Sequence, residues 1–237
     1  MSLTLADIFE QLTVGELAQI SSGGLEGLEI RPEDYQKVIA HVNLALTELH
    51  KRFHLRTNEI LVRIYENISF YHLHPKYAQS NTLSPELYKY ILDSDVNPFQ
   101  DDVLKIEEVY NEAGDKVCLN DKNAPCSLFT PNYNTIQVPF PFESSLMGVE
   151  YRANHPKIQY VPGMDPKTVE VEVPWAVLEP LLIYVGYRVL RSMGGEAASE
   201  GLAFMQLFES SCLKIHELGL EITPHYSNHK LDYRGWV

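Results

Sequence analysis

Five consecutive apolar residues, Leu181-Leu-Ile-Tyr-Val185, lie inside a stretch of helical character running from Trp175 to Leu190. A helix that is apolar around its whole circumference has no face to give to water, so it must be covered on more than one side. Two arrangements satisfy that demand: a central helix within the chain's own bundle, or a helix sandwiched between its own domain and a neighbouring subunit. Proline suits a first turn and not a helix interior, so Pro180 marks the start of the main helix, with Trp175 to Glu179 as a preceding turn. Gly194-Gly195 reads as a helix stop. From Glu196 to Leu218, Ala198, Leu202, Met205, Phe208, Cys212 and Ile215 fall on one stripe, so the two helices are expected to pair as a hairpin. Beyond Gly219 the helical period ends, yet Ile222, Tyr226, Leu231, Tyr233 and Trp236 are too apolar for a disordered tail. Residues 220–237 therefore read as an extended strap. Aromatic and arginine side chains anchor interfaces, which makes Tyr226, Leu231, Tyr233, Arg234 and Trp236 the candidates for partner contacts.

Earlier in the chain, Thr4 with Asp7 and Thr13 with Glu16 have the form of two successive helix starts, a hydroxyl cap followed by an acid. Pro32-Glu-Asp34 opens a longer helix whose buried face is Val38, Val42, Ala45, Leu49 and Phe53. From about Arg56 the β-branched and aromatic residues of strands take over: Ile60 to Tyr65, Ile68 to Tyr71, Thr135 to Val138, Gly148 to Tyr151 and the alternating Val169 to Val173. Val103 to Tyr110, a turn around Gly114, and Val117 to Leu119 read as a hairpin, and Leu87 to Leu92 as a short helix. The expected fold is therefore α+β. Residues 1–54 and 174–219 form a helical bundle, residues 55–173 an inserted β-rich domain, and 220–237 the strap.

At 237 residues, 45% hydrophobic and 22% charged, the chain can bury one large core or two small ones. Its net charge of -13 argues against a surface that grips nucleic-acid phosphates, which requires a basic footprint. An acidic wall would let DNA slide past. Met1 to Asp7 has no basic region ahead of its apolar residues, no stretch reaches membrane-span length, and three widely spaced cysteines offer no disulfide framework; a reducing cytoplasm is the expected place of folding.

Chemistry is harder to find. His50 and His54 have the spacing of a metal pair without the glutamate of a zinc-protease motif, and His72/His74 and His225/His229 are similar isolated pairs. Asp93 to Asp101 departs from a calcium loop at Pro98 and Leu104. Asp101, Asp102, Glu107 and Glu108 could serve a metal-dependent, nuclease-like enzyme only if the fold made them converge, because adjacent residues on a strand point to opposite faces. The expectation is a protein without catalytic residues, metal site or cofactor.

Val14-Gly-Glu-Leu17, the helix containing Asn43 to Phe53, Asp102 to Tyr110 with Gly114 and Leu119-Asn-Asp121, and the hairpin from Pro174 to Phe208 together resemble tailed-bacteriophage head-to-tail adaptor proteins, also called head completion or tail tubular proteins. The resemblance covers most of the chain in element order. It implies a virion protein, made in the host cytoplasm, that forms a ring, typically a dodecamer, under the portal. Such a ring seals packaged DNA, lets it pass without specific binding, and offers a platform to the tail or nozzle protein. It further implies that the strap docks on the portal, and that Trp175, Tyr184, Tyr187, Arg188, Phe204 and Phe208 pack between subunits. A cellular scaffold or binding module is the remaining alternative.

Overall fold

The computed structural model describes residues 3–17, 30–141 and 145–220. Helix and sheet are mixed, and the chain divides into two units, Met1–Leu55 with Lys157–Val237, and Arg56–Pro156. The first begins with a two-residue strand, β1 (Leu3–Thr4), that runs into helix α1 (Leu5–Val14). The Thr4 hydroxyl accepts from the Asp7 N–H, and the Asp7 carboxylate takes the Thr4 N–H at 2.8 Å, so the expected capping box is present. The second helix start is not. The Thr13 hydroxyl donates backward to the Phe9 carbonyl at 2.6 Å, and the helix ends one residue later at Val14, capped by Gly15. Helix α2 (Tyr35–Arg52) follows, with Val38, Val42, Ala45, Leu49 and Phe53 buried as its spacing predicts.

The sheet unit holds strands β2 (Thr57–Arg63), β3 (Phe70–His72), β4 (Ile91–Leu92), β5 (Val103–Tyr110), β6 (Phe129–Asn132), β7 (Thr135–Gln137) and β8 (Leu146–Ala153). They form a four-stranded antiparallel sheet in the order β4-β2-β8-β5 and a three-stranded one in the order β3-β7-β6. Leu87 to Leu92 is not a helix: Ile91 and Leu92 pair with β2, and the Tyr90 hydroxyl both accepts from the His72 N–H and donates to its carbonyl. Pairing with β2 and the two Tyr90 hydroxyl bonds to His72 of β3 hold the segment out of a helix. After β5 the chain turns at Gly114 (φ 82°) and the Val117 N–H returns to the Val109 carbonyl, but the long partner of β5 is β8. The core of this unit is built on Tyr71, Leu73, Ile91, Val109, Ile136 and Val149.

The first unit resumes at Lys157, earlier than the change of character at Pro174 suggests. Ile158 joins the core of the helices and is held by Asn43 of α2, whose side-chain amide bonds both its N–H and its carbonyl at 2.9 Å. Only Glu170–Val171 of the alternating run is a strand, β9, and it pairs with β1. Its period of two was read correctly as a strand but assigned to the wrong unit, because its partner lies at the other end of the sequence.

Trp175–Val177 forms a 3-10 turn and helix α3 spans Leu178–Met193, starting two residues before Pro180, which therefore sits in the first turn. Helices α1, α2 and α4 (Gly195–Glu217) all pack on α3. Leu181, Leu182, Ile183 and Val185 are all buried by the chain's own elements. Gly194 and Gly195 link α3 to α4 at φ of 74° and 58°, a backbone that side-chain-bearing residues rarely adopt.

Candidate assembly surface

With α3 enclosed by its own chain, the surface that faces outward is that of α4. Its buried face is Gly201, Phe208, Ser211, Cys212 and Ile215. Leu202, expected on the buried stripe, is instead 59% exposed. Gly201, one residue earlier on the helix, is the one that faces α3, which leaves Leu202 pointing outward. Leu202, Ala203, Gln206, Leu207, Ser210 and Leu213 are all exposed and none is charged. At 100° per residue they fill an arc of about 140°, over a length of about 16 Å. Leu207 and Leu213 are 55% and 61% exposed. The water-facing side of a helix ordinarily carries charge. Charge returns one residue on from Leu213, with the exposed Lys214 on the same arc.

The six hairpin residues expected to pack between subunits occupy different environments. Phe208 is fully buried in its own unit, its ring 4.9 Å from that of Tyr184 and 4.6 Å from the Arg52 guanidinium. Tyr187 is buried, and its hydroxyl accepts from Arg191 at 2.7 Å. The half-buried Phe204 packs on Gly186, where a Cβ would come within 3.0 Å of its ring. Arg188 is half-buried and its Nε has no partner among the described residues; burial, with Arg188 nearby, holds His41 below its usual pKa. Trp175 is 61% exposed. The strap candidates Tyr226, Leu231, Tyr233, Arg234 and Trp236 lie outside the described residues, as do His225 and His229.

The acids considered for metal chemistry do not converge. Asp102 accepts from Asn58 at 2.8 Å and from the Tyr151 hydroxyl at 2.9 Å. Glu107 faces Lys105 and Arg152, while Glu108 takes the Tyr110 hydroxyl and Lys116. Among the described residues no group of three or more histidines, cysteines and acids could hold a metal ion. His50 is buried, its Nδ1 2.7 Å from the Leu46 carbonyl, and the His74 imidazole accepts from the Lys76 N–H. Asp93 closes its own loop by accepting the N–H groups of Ser80 and Phe99.

The outward leucines of α4 were legible by the argument applied to α3. Gly201 to Phe208 is an eight-residue run without a charge, so both sides of that helix, and not one stripe alone, are apolar enough to be covered. Among the described residues no helix is long and apolar enough to cross a membrane. Comparison with known proteins finds no family model that matches the chain and no match among curated proteins.

Proposed function

We propose that this chain is a structural protein that works by assembling with copies of itself, as a head-to-tail adaptor ring of a tailed bacteriophage. The uncharged stretch from Leu202 to Leu213 on the outer face of α4 carries the reading: a second copy of the chain covers Leu202, Leu207 and Leu213, as apolar interface cores are covered in homo-oligomers. The order of elements supports it, helices on either side of an inserted β-rich unit, as the resemblance to adaptors implies. In this reading the ring sits in the virion below the portal protein and presents a platform to a tail or nozzle protein. Tyr226, Leu231, Tyr233, Arg234 and Trp236 supply the portal contacts. The net charge of -13 suits a ring through which DNA passes without being held.

The test is electron microscopy of the purified chain, alone and with the portal protein of its own phage. Rotationally symmetric particles are expected in the second case, and replacing Leu207 and Leu213 together by glutamate abolishes them. Because both side chains face solvent, the double variant keeps the monomer's stability to within about 0.5 kcal/mol. A chain that never assembles with its portal, or a double variant that assembles as well as the parent, would overturn the proposal.

A further inference from the structure

In the sheet unit, β2 is seven residues long but β4 pairs only with Leu61 and Val62. Main-chain groups along a strand point alternately to its two sides. The even-numbered residues of β2 face β8: just before the strand the Arg56 carbonyl accepts from the Ala153 N–H, and just after it the Ile64 N–H bonds the Ser145 carbonyl. The odd-numbered residues face the other way, since the Arg63 N–H bonds the Tyr90 carbonyl at 2.8 Å. Leu61 and Arg63 are thereby paired on the β4 side, while Thr57 and Glu59 point past the end of β4. No described residue bonds the Glu59 N–H or carbonyl there.

β4 does not continue because Asp93 accepts the N–H groups of Ser80 and Phe99, and Ser94 turns back on Asn97. The place its next residues would have taken is a cavity of about 770 Å³, a volume within the range of binding sites. It runs beside about 10 Å of β2, from Thr57 to Ile60. Ile60, Pro98 and Phe99 give it apolar surface. Its charges are unequal: three carboxylates, Glu59, Asp93 and Asp102, line it against one guanidinium, that of Arg56. Asp102 accepts from Asn58 and the Tyr151 hydroxyl, but neutral donors leave its charge in place. Burial opposes ionisation of Asp93, yet the bonds from Ser80 and Phe99 hold its carboxyl below the ordinary range. Glu59 is exposed and has no ion pair among the described residues.

We propose that this cavity takes an extended segment of a different, basic protein, added to the sheet as a further strand beside Thr57 and Glu59. The main chain of that segment supplies the acceptor and donor that the Glu59 N–H and carbonyl lack, the way an unpaired sheet edge recruits a strand. A lysine or arginine on the Glu59 face answers the excess of carboxylates. The next side chain, on the opposite face, lies against Ile60 and Phe99. A second copy of this chain is the poorer occupant, because each copy carries a net charge of -13. The groove goes beyond the assembly reading and does not depend on it, since the cavity lies within one unit of one chain.

The test follows the backbone amides of the full-length chain by NMR, with capped synthetic peptides as probes: Lys-Val-Lys-Val-Thr, its counterpart with glutamate for lysine, and the lysine peptide N-methylated at its three central residues. In the free chain the Glu59 amide is expected to exchange with solvent at least about tenfold faster than those of Asn58 and Ile60. With the lysine peptide the Glu59 amide proton shifts saturably, with a dissociation constant of order 1 mM, and its exchange slows. The glutamate and N-methylated peptides bind at least about tenfold more weakly, the first for its charge and the second for its lost donors. Glu59→Gln, at an exposed position, keeps the fold and weakens the lysine peptide severalfold. Slow exchange of Glu59 in the free chain overturns the proposal, as does the absence of a saturable shift up to about 10 mM peptide, or equal binding of either control. A peptide of this chain's own residues 229–236 that binds more tightly than the lysine peptide would make a second copy the occupant, and would overturn it too.

Discussion

At the scale of single residues, two glycines and one cysteine show how position decides the effect of the same chemistry. A Cβ on Gly186 would stand 3.0 Å from the Phe204 ring and 3.1 Å from the Glu16 Cβ, tight enough that both neighbours must shift by a few tenths of an ångström. On Gly201, facing the other way across the same helix pair, it would meet the Tyr187 carbonyl oxygen at 3.5 Å, an ordinary contact. Gly186→Ala is therefore expected to destabilise by about 1–3 kcal/mol through overpacking, while Gly201→Ala is neutral or stabilising by up to about 1 kcal/mol through helix propensity. Urea unfolding of the two variants checks the difference in sign. Cys212 is buried beneath Arg52 and Glu209, and burial pushes its thiol up to about 11, whereas Cys118 and Cys126 are exposed. A thiol reagent at pH 8 is expected to modify two cysteines promptly in the folded protein and the third only on denaturation, because the thiolate is the reactive form. Prompt reaction of all three would contradict the burial of α4 against its unit.

At the scale of elements, α2 and α4 are joined by a fork. The Arg52 guanidinium meets both oxygens of Glu209, one at 2.7 Å, and its Nε meets Glu48 at 3.1 Å. Hydrogen bonding from Arg52 holds the Glu209 carboxyl below its ordinary range. A carboxyl whose folded pKa is depressed stabilises the protein above its unfolded value, near 4.5, and the contribution disappears as pH falls through the lower folded value. Glu209 is almost half exposed, so solvent screening limits the effect to about 1 kcal/mol or less. Denaturation at pH 7 and again at a pH below the depressed folded value is expected to show Glu209→Gln weaker than the parent at the first and equal to it at the second; an equal deficit at both would mean that packing, not charge, is at stake. None of this pairing was legible beforehand, since Arg52 and Glu209 are far apart in sequence and each looks like an ordinary helix-surface charge. The elements themselves were more readable. Periodicity located α2, an unbroken apolar run located α3, and β-branched and aromatic content located β5 and β8, while the double glycine marked the α3–α4 link through its backbone needs alone. Local reading failed at Thr13, whose hydroxyl had two geometries open to it, and at Leu202, which points outward while Gly201 beside it faces α3.

For the whole molecule, the division at Leu55/Arg56 and Pro156/Lys157 is the property that local reading handled least well, because it depends on who pairs with whom. The strand-like run from Val169 to Val173 looked like the end of a β domain, yet Val171 is paired with Leu3 and the Leu5 N–H bonds the Val169 carbonyl. The sheet unit has its own core, and its ends are neighbours: the Arg56 carbonyl accepts from the Ala153 N–H at 3.0 Å. A segment that leaves and re-enters at adjacent points, with a core of its own, has what an inserted domain needs to fold alone. Residues 56–156, expressed by themselves, are expected to give a dispersed amide spectrum and a cooperative unfolding transition. Cutting at 173 instead would add residues whose partners, Leu3 and Asn43, are absent, leaving about 17 unpaired residues with the sharp, central signals of a mobile tail. If 56–156 were unfolded while 55–173 folded, the division of the chain drawn from its pairing would be wrong, and the strand at Glu170 would have to find its partner within the sheet unit.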